Sequence, residues 1–261
     1  LVNYVKVGIE SAFGTHVTTA GIKVSSISED VDRSIMIEET IDNYIADAGY
    51  GGALKISGTM EGNIKPKQFA LLLQACLGDA NSPYTLGVPK SLSIDIGEEL
   101  AGATHTGAET QYCGCGISKL SMKFVAKEFA TFSADWFAKN YVVAAYSVPT
   151  IAAEDPAVFY NASVTFGTVA NAEIKEISLD IDRKLDDDNF VLNDFTLHRL
   201  ARTGVTEISG SITFAELAWA EFLTAITGSS TGTAIDANNS LGNVAMEIIC
   251  TTMAGVESMR I

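Results

Sequence analysis

Basic residues are scarce in this chain: 17 Lys and Arg stand against 32 Asp and Glu, a formal net charge of −15 over 261 residues. A protein that grips nucleic acid needs clustered cations to displace counterions, and no such cluster occurs, so that class is excluded. Cysteine is rare as well, and four residues do not make a disulfide scaffold. Cys76 and Cys250 lie in apolar runs and read as small buried hydrophobes. Cys113-Gly114-Cys115 has no second pair and no nearby His, which favours packing over a metal or redox role. The histidines, His16, His105 and His198, never fall at a metal-ligand spacing. There is no nucleophile elbow and no phosphate loop, and Asp186-Asp187-Asp188 lacks the Gly and distal Glu of a calcium loop, so it reads as a solvated face. No apolar run approaches the roughly 20 residues of a membrane helix. Leu1 to Lys6 lack the basic-then-apolar pattern of a signal peptide, so secretion is not expected. The chain reads as chemically silent, with no enzyme activity, cofactor or metal.

What the chain does contain is a repeat. Ile27-Ser28-Glu29-Asp30-Val31-Asp32-Arg33 returns as Ile177-Ser178-Leu179-Asp180-Ile181-Asp182-Arg183, with five of seven positions identical and one Val/Ile exchange. Ile56-Ser57-Gly58-Thr59 returns as Ile208-Ser209-Gly210-Ser211. Phe69, Leu72, Leu73 and Cys76 align with Trp219, Phe222, Leu223 and Ile226. Three blocks in the same order point to a duplicated domain.

Strand patterns dominate both copies. Ile177, Leu179 and Ile181 alternate with Ser178, Asp180 and Asp182, the mark of a half-buried strand. Further strands are expected over Ala53–Glu61, Leu92–Ile96, Ile117–Val125, Ala130–Ala138, Asn161–Phe166, Val205–Phe214 and Val244–Thr251. Each copy also carries one helix. Pro66 suits a first turn, the apolar residues of the third block recur at helical spacing, and Gly78 and Gly228 follow as stops. The expected fold is mainly β with α: two tandem β-sandwich domains, each with a flanking helix. The expected boundaries are an N-terminal arm at 1–23, a first domain at 24–148, a linker and connecting strand at 149–172, and a second domain at 173–261. Ser258-Met259-Arg260-Ile261 compares with Ser121-Met122-Lys123-Phe124, after which the second copy lacks its last strand. Either another segment takes that place or the natural chain continues. The connections Arg33–Gly52 and Arg183–Thr203 are long for hairpins and are expected to dock on neighbours.

Gly8-Ile9-Glu10-Ser11-Ala12-Phe13-Gly14-Thr15 is similar to the Gly-x-Glu-x-x-x-Gly-Thr opening of one group of tail tube (major tail) proteins of long-tailed phages and related viruses. With the Ile-Ser-x-Asp-x-Asp-Arg strand, the Ser-Gly-Thr/Ser strand and the helix that follows, the chain resembles that family over most of its length, in a duplicated form. The resemblance implies β-sandwich units with a flanking helix, six of which close a ring by joining sheets edge to edge. Two units per chain then imply a trimeric, pseudo-hexameric ring, with six-chain rings as the alternative. Stacked rings would form the virion's hollow tail tube, through which viral DNA passes without specific binding. Other tail proteins would sit at the tube ends, and synthesis would be in the host cytoplasm. Asp30, Asp32, Asp180 and Asp182 become candidates for the channel wall, where carboxylates repel phosphates. Glu38, Glu39, Asp42, Asp186, Asp187, Asp188 and Phe195 become candidates for contacts between subunits, together with the arm Leu1–Thr15. Two other readings stand beside this one. The first is a related ring protein, such as a tail terminator, a distal tail protein or a secretion-tube subunit. The second is a carbohydrate-binding or hydrolysing β-sandwich, since each Asp pair would sit about 7 Å apart along its strand.

Overall fold

The structure, a computed structural model, describes residues 2–17, 19–38, 48–79, 84–98, 108–166, 169–170, 173–215, 223, 246–252 and 258–260. The first half contains β1 (Val2–Ile9), β2 (Ala20–Ile22), β3 (Ser26–Glu38), β4 (Ala48–Asn63), α1 (Pro66–Leu77), β5 (Leu92–Glu98), β6 (Ala108–Val125), β7 (Thr131–Ala138) and β8 (Asn140–Ala145). The second contains β9 (Ala157–Phe166), β10 (Val169–Ala170), β11 (Ile174–Asp182), β12 (Leu185–Asp186), β13 (Ala201–Arg202), β14 (Glu207–Phe214), β15 (Met246–Thr252) and β16 (Ser258–Arg260). The fold is mainly β with a helix, as the sequence predicts.

The long strand β6 belongs to two layers. Its first part, Ala108–Cys115, pairs with β5 and β8, and its second part, Gly116–Val125, pairs with β7 and β11. Gly114, with φ +66°, sits at the changeover, where a residue with a Cβ would be strained. A strand that bends from one sheet into the next forms a corner of a sandwich. One layer therefore runs β2-β1-β5-β6, and the other runs β3-β4-β7-β6-β11-β14. Val5, Val7, Ile94 and Ile96 of the first layer share one core with Ile56, Met60, Leu120 and Trp136 of the second. The Tyr112 and Trp136 rings meet across it at 5.3 Å.

The helix α1 closes this core. Phe69, Leu72, Leu73 and Cys76 are all buried, as their spacing predicts, and Gly78 ends the helix with φ +90°. Its N-terminus has no side-chain cap of its own. Glu154, far along the chain, fills that role by accepting hydrogen bonds from the Lys67 N–H (2.7 Å) and the Gln68 N–H (3.3 Å). The helix expected at Trp219–Ile226 lies, apart from Leu223, outside the described residues.

The pairing pattern of the first half recurs in the second. The order β10-β9-β15-β16 repeats β2-β1-β5-β6, and β11-β14 repeats β3-β4. Registers coincide as well. Ser28 faces Thr59 and Asp30 faces Ser57, as Ser178 faces Ser211 and Asp180 faces Ser209. The glycines of the Ser-Gly blocks have one shared cause: a Cβ on Gly58 would strike the Ser28 carbonyl, and one on Gly210 the Ser178 carbonyl. The halves are not insulated from each other, because Ile177, Ile181 and Ile248 belong to the same hydrophobic cluster as Ile56 and Trp136.

Two expectations are corrected here. Residues 1–23 are not a free arm: β1 pairs with β5 along its length, and Tyr4, Val5, Lys6 and Val7 are buried. The signal was present as a Val- and Tyr-rich run, Val2-Asn3-Tyr4-Val5-Lys6-Val7. The match of Ser258–Ile261 to Ser121–Phe124 is also out of register. Ser258, Met259 and Arg260 pair with Thr251, Cys250 and Ile249 of β15, as the first part of β6 pairs with β5. The counterparts of β16 are therefore Glu109 to Gln111, not Ser121 to Lys123.

Candidate functional site

The sheet β3-β4-β7-β6-β11-β14 has one apolar face and one polar face. Ile27, Val31, Ile56, Met60, Leu120, Met122, Ile177 and Ile181 point to the core side, and the alternate residues point away. Successive strand registers place Ser28, Thr59, Asp135, Lys119, Asp182 and Glu207 in one row across the polar face. A second row holds Ser26, Glu61, Ser133, Ser121, Asp180 and Ser209. Asp30 and Asp32 lie on the same face, opposite Ser57 and Lys55. The structure thus brings all four wall candidates, Asp30, Asp32, Asp180 and Asp182, onto one surface.

Carboxylates outnumber cations there, and the lysines are tied to them. Lys123 Nζ lies 3.0 Å from Glu176, Lys119 Nζ 3.9 Å from Asp180, and Lys55 Nζ 2.9 Å from Asp187. Lys184 bridges Asp182 (2.5 Å) and Glu207 (3.2 Å). Donating hydrogen bonds to the carboxylates of Glu176, Asp187 and Asp182 raises the pKa of Lys123, Lys55 and Lys184 respectively. The hydrogen bond from Lys184 likewise lowers that of Asp182. Asp180 also accepts a 2.5 Å hydrogen bond from the Ser121 hydroxyl.

The contact candidates divide. Asp186 lies in β12, Asp187 holds Lys55, and the Asp188 N–H donates to the Asp186 carboxylate at 3.1 Å. The Phe195 carbonyl accepts from the Leu54 N–H at 2.8 Å, and the Arg33 guanidinium lies 5.5 Å from the Phe195 ring centre. Leu185 and Leu197 are buried beside Phe137. The Arg183–Thr203 connection therefore docks on the first half of its own chain. Glu38 is the last residue of β3 and pairs with Ala48, whereas Glu39 and Asp42 lie outside the described residues. Before that point, the hairpin β3–β4 exposes Ile35, Met36, Ile37 and Tyr50.

Sequence reasoning missed three structural clamps. Glu10 of the Gly-x-Glu-x-x-x-Gly-Thr segment accepts from the Gly14 N–H (2.9 Å), the Ser93 hydroxyl (3.0 Å) and the Gly114 N–H (2.8 Å). That carboxylate fixes the turn after β1 and fastens it to the β6 corner. Lys6, Asp95 and Glu109 form a buried charge cluster, completed by His16 at 2.8 Å from Asp95 and the Tyr4 hydroxyl at 2.7 Å from Glu109. Arg183 is fully buried and donates from Nη2 to the Gly87 carbonyl at 2.6 Å. Its place in the repeated block was the one available signal.

Among the described residues no group of three or more His, Cys, Asp or Glu could hold a metal ion, and no helix is long and apolar enough to cross a membrane. Cys76, Cys113 and Cys115 are free and buried, and burial pushes the Cys76 thiol up to about 12. Such thiols are inert packing groups.

Comparison with known proteins gives one extended match and several distant ones. No curated protein matches the chain. Among solved structures, the tube-terminating cap of an anti-feeding prophage aligns at 11% identity and TM-score 0.36, covering 54% of this chain and 87% of that one. The sheath/tube terminator of an extracellular contractile injection system, in its extended state, aligns at 12% identity and TM-score 0.36, covering 56% and 96%. A chain from the anti-feeding prophage baseplate aligns at 9% identity and TM-score 0.36, covering 56% and 93%. The sequence model described as phage tail tube protein matches residues 2–254, nearly the whole chain. This protein therefore belongs to the phage tail tube protein family, a structural family and not an enzymatic one.

Proposed function

We propose that the chain is the self-assembling subunit of a viral tail tube, with two tube units in one polypeptide. The first unit spans 24–148 together with β1 and β2, the second spans 173–261 together with β9 and β10, and residues 149–156 connect them. Three chains then supply six units and close a pseudo-hexameric ring, and rings stack into a hollow conduit for the viral genome. The subunit is made in the host cytoplasm, resides in the virion tail and meets other tail proteins at the tube ends.

The observation that carries this reading is the continuous sheet β3-β4-β7-β6-β11-β14, in which the second half's β11 extends the first half's sheet. One chain thus contains a junction between two like units, made by strand pairing. Its polar face holds both Asp pairs, with every lysine named above matched to a carboxylate. A wall of that kind offers duplex DNA no free cations to adhere to. The exposed β3–β4 hairpin supplies an apolar arm for contact between rings. Purified protein concentrated under mild salt tests this directly by sedimentation and negative-stain microscopy. Hollow tubes of uniform width are expected; rings that never stack would move the role to a terminator, and compact monomers would refute self-assembly.

A further inference from the structure

The buried charges of the first layer lie in two adjacent rows across its strands. Lys6 faces Asp95 across β1 and β5, and Asp95 faces Gln111 across β5 and β6. In the neighbouring row Tyr4 faces Gly97, and Gly97 faces Glu109. A Cβ on Gly97 would strike the Tyr4 ring, so the glycine lets that ring lie across to Glu109. The Lys6, Asp95 and Glu109 side chains are 9%, 1% and 2% exposed, whereas those of Lys55, Lys119, Lys123 and Lys184 are 38% to 56% exposed. Lys6 Nζ touches Glu109 at 2.5 Å but stands 3.8 Å from Asp95 Oδ2, too far for a hydrogen bond. The Asp95 oxygens are held by other donors, Oδ1 by His16 Nε2 at 2.8 Å and Oδ2 by the Thr19 hydroxyl at 2.5 Å. Glu109 also accepts from the Tyr4 hydroxyl at 2.7 Å and the Gln111 amide at 2.8 Å. An amine, a base against it and a carboxyl group within reach, with its oxygens already hydrogen-bonded, are the parts of an acyl-transfer site.

We propose that this cluster is a self-modification site, at which Lys6 Nζ and the Asp95 carboxyl carbon condense to an isopeptide bond between β1 and β5, with Glu109 as the base. The reaction is a dehydration and needs no oxidant, cofactor or second molecule. Glu109 takes one proton from the Lys6 ammonium and passes it to Asp95 Oδ2. The neutral amine attacks Cγ, and the carbonyl electron pair moves onto Oδ1, where the His16 N–H stabilises the oxyanion. A second proton passes from the nitrogen through Glu109 to the Oδ2 hydroxyl. The C–O bond then breaks as the carbonyl re-forms, and water leaves. An ammonium and a carboxylate become one neutral amide and one water, and Glu109 ends as the carboxylate it began as, facing the amide N–H. Free amines and carboxylates do not condense in water. Here strand pairing holds them together, and well-oriented groups reach effective molarities of about 10⁵–10⁸ M. Three buried charges also fall to one, which removes much of the cost of keeping them out of water. The bond closes the loop from Lys6 to Asp95, which contains β2, β3, β4 and α1, and locks the first strand to its sheet. It is independent of the tube reading, since every group lies within one chain.

The test is intact mass spectrometry of the full chain, denatured after incubation at neutral pH and followed by peptide mapping, on wild type, Lys6→Arg and Glu109→Gln. Wild type is expected about 18 Da below its sequence mass, one water lost. Its digest should contain a branched peptide that joins Lys6 to Asp95. Lys6→Arg keeps the positive charge but loses the amine nucleophile, so it is expected at its full sequence mass. Glu109→Gln is expected to stay largely unlinked over the same incubation, because a positioned base contributes about 10²–10⁴-fold. Wild type that is folded by thermal melting yet found at its full sequence mass would overturn the inference, whatever the variants do. A water loss that persists in Lys6→Arg would also overturn it, since the dehydration would then lie elsewhere. Linkage in Glu109→Gln to the wild-type extent would overturn the assignment of Glu109 as the base.

Discussion

Replacing Lys6 with methionine would remove the ammonium that lies 2.5 Å from Glu109 and 3.8 Å from Asp95. Both carboxylates are almost wholly buried, and a buried charge stripped of its partner costs about 3–5 kcal/mol. Lys6→Met is expected to lower unfolding stability by that amount in urea titrations, and adding Glu109→Gln should recover part of it. The pH dependence follows from the same cluster. Burial raises the Glu109 pKa, but hydrogen bonds from Lys6, Gln111 and Tyr4 outweigh it and leave the carboxyl below its ordinary 4.5. A depressed carboxyl contributes stability above the unfolded value and loses it as pH falls through the folded value. Stability should therefore decline as pH drops below 4.5, and Glu109→Gln should flatten that part of a denaturation profile. None of this was legible in the sequence, since Lys6, Asp95 and Glu109 stand in three strands that only pairing brings together. The roles of Gly58 and Gly210 are different: each faces a serine carbonyl of its paired strand, Ser28 or Ser178, and both members of each pair lie in the repeated blocks, so the repeat displays them directly.

Elements show the same division. The helix α1 was readable end to end, because Pro66, the apolar stripe and Gly78 are local signals. Its cap was not, because Glu154 arrives from a segment that reads only as a linker. Glu154→Ala should cost about 1–2 kcal/mol, the range for losing an N-terminal cap, and the melting temperature of the isolated protein measures it. The strand β1 was misread as an arm, with a consequence for experiment. Deleting residues 1–15 removes buried Val5 and Val7 and the Glu10 clamp, so it is expected to abolish folding, not merely stacking. The first part of β6 was missed because Gly114 and Gly116 break its strand pattern, and those glycines mark the corner between layers.

For the whole molecule, the duplication was legible in three short blocks, while the way the halves join was not. Strand pairing between β6 and β11 involves residues whose identities specify burial but not a partner. The acidic face carries its own prediction. Glu176→Gln with Asp180→Asn releases Lys123 and Lys119 from their carboxylates. Fluorescence anisotropy with duplex DNA at low salt should then show weak, salt-sensitive binding that the wild type lacks. Exposed ion pairs contribute at most about 1 kcal/mol each, so the double variant should fold normally. The most direct measurement for the account as a whole is electron microscopy of assembled protein with end-on class averages. Three chains in a ring of six density lobes around an open channel is the predicted result. Rings built from six whole chains, or closed particles without a channel, would contradict it.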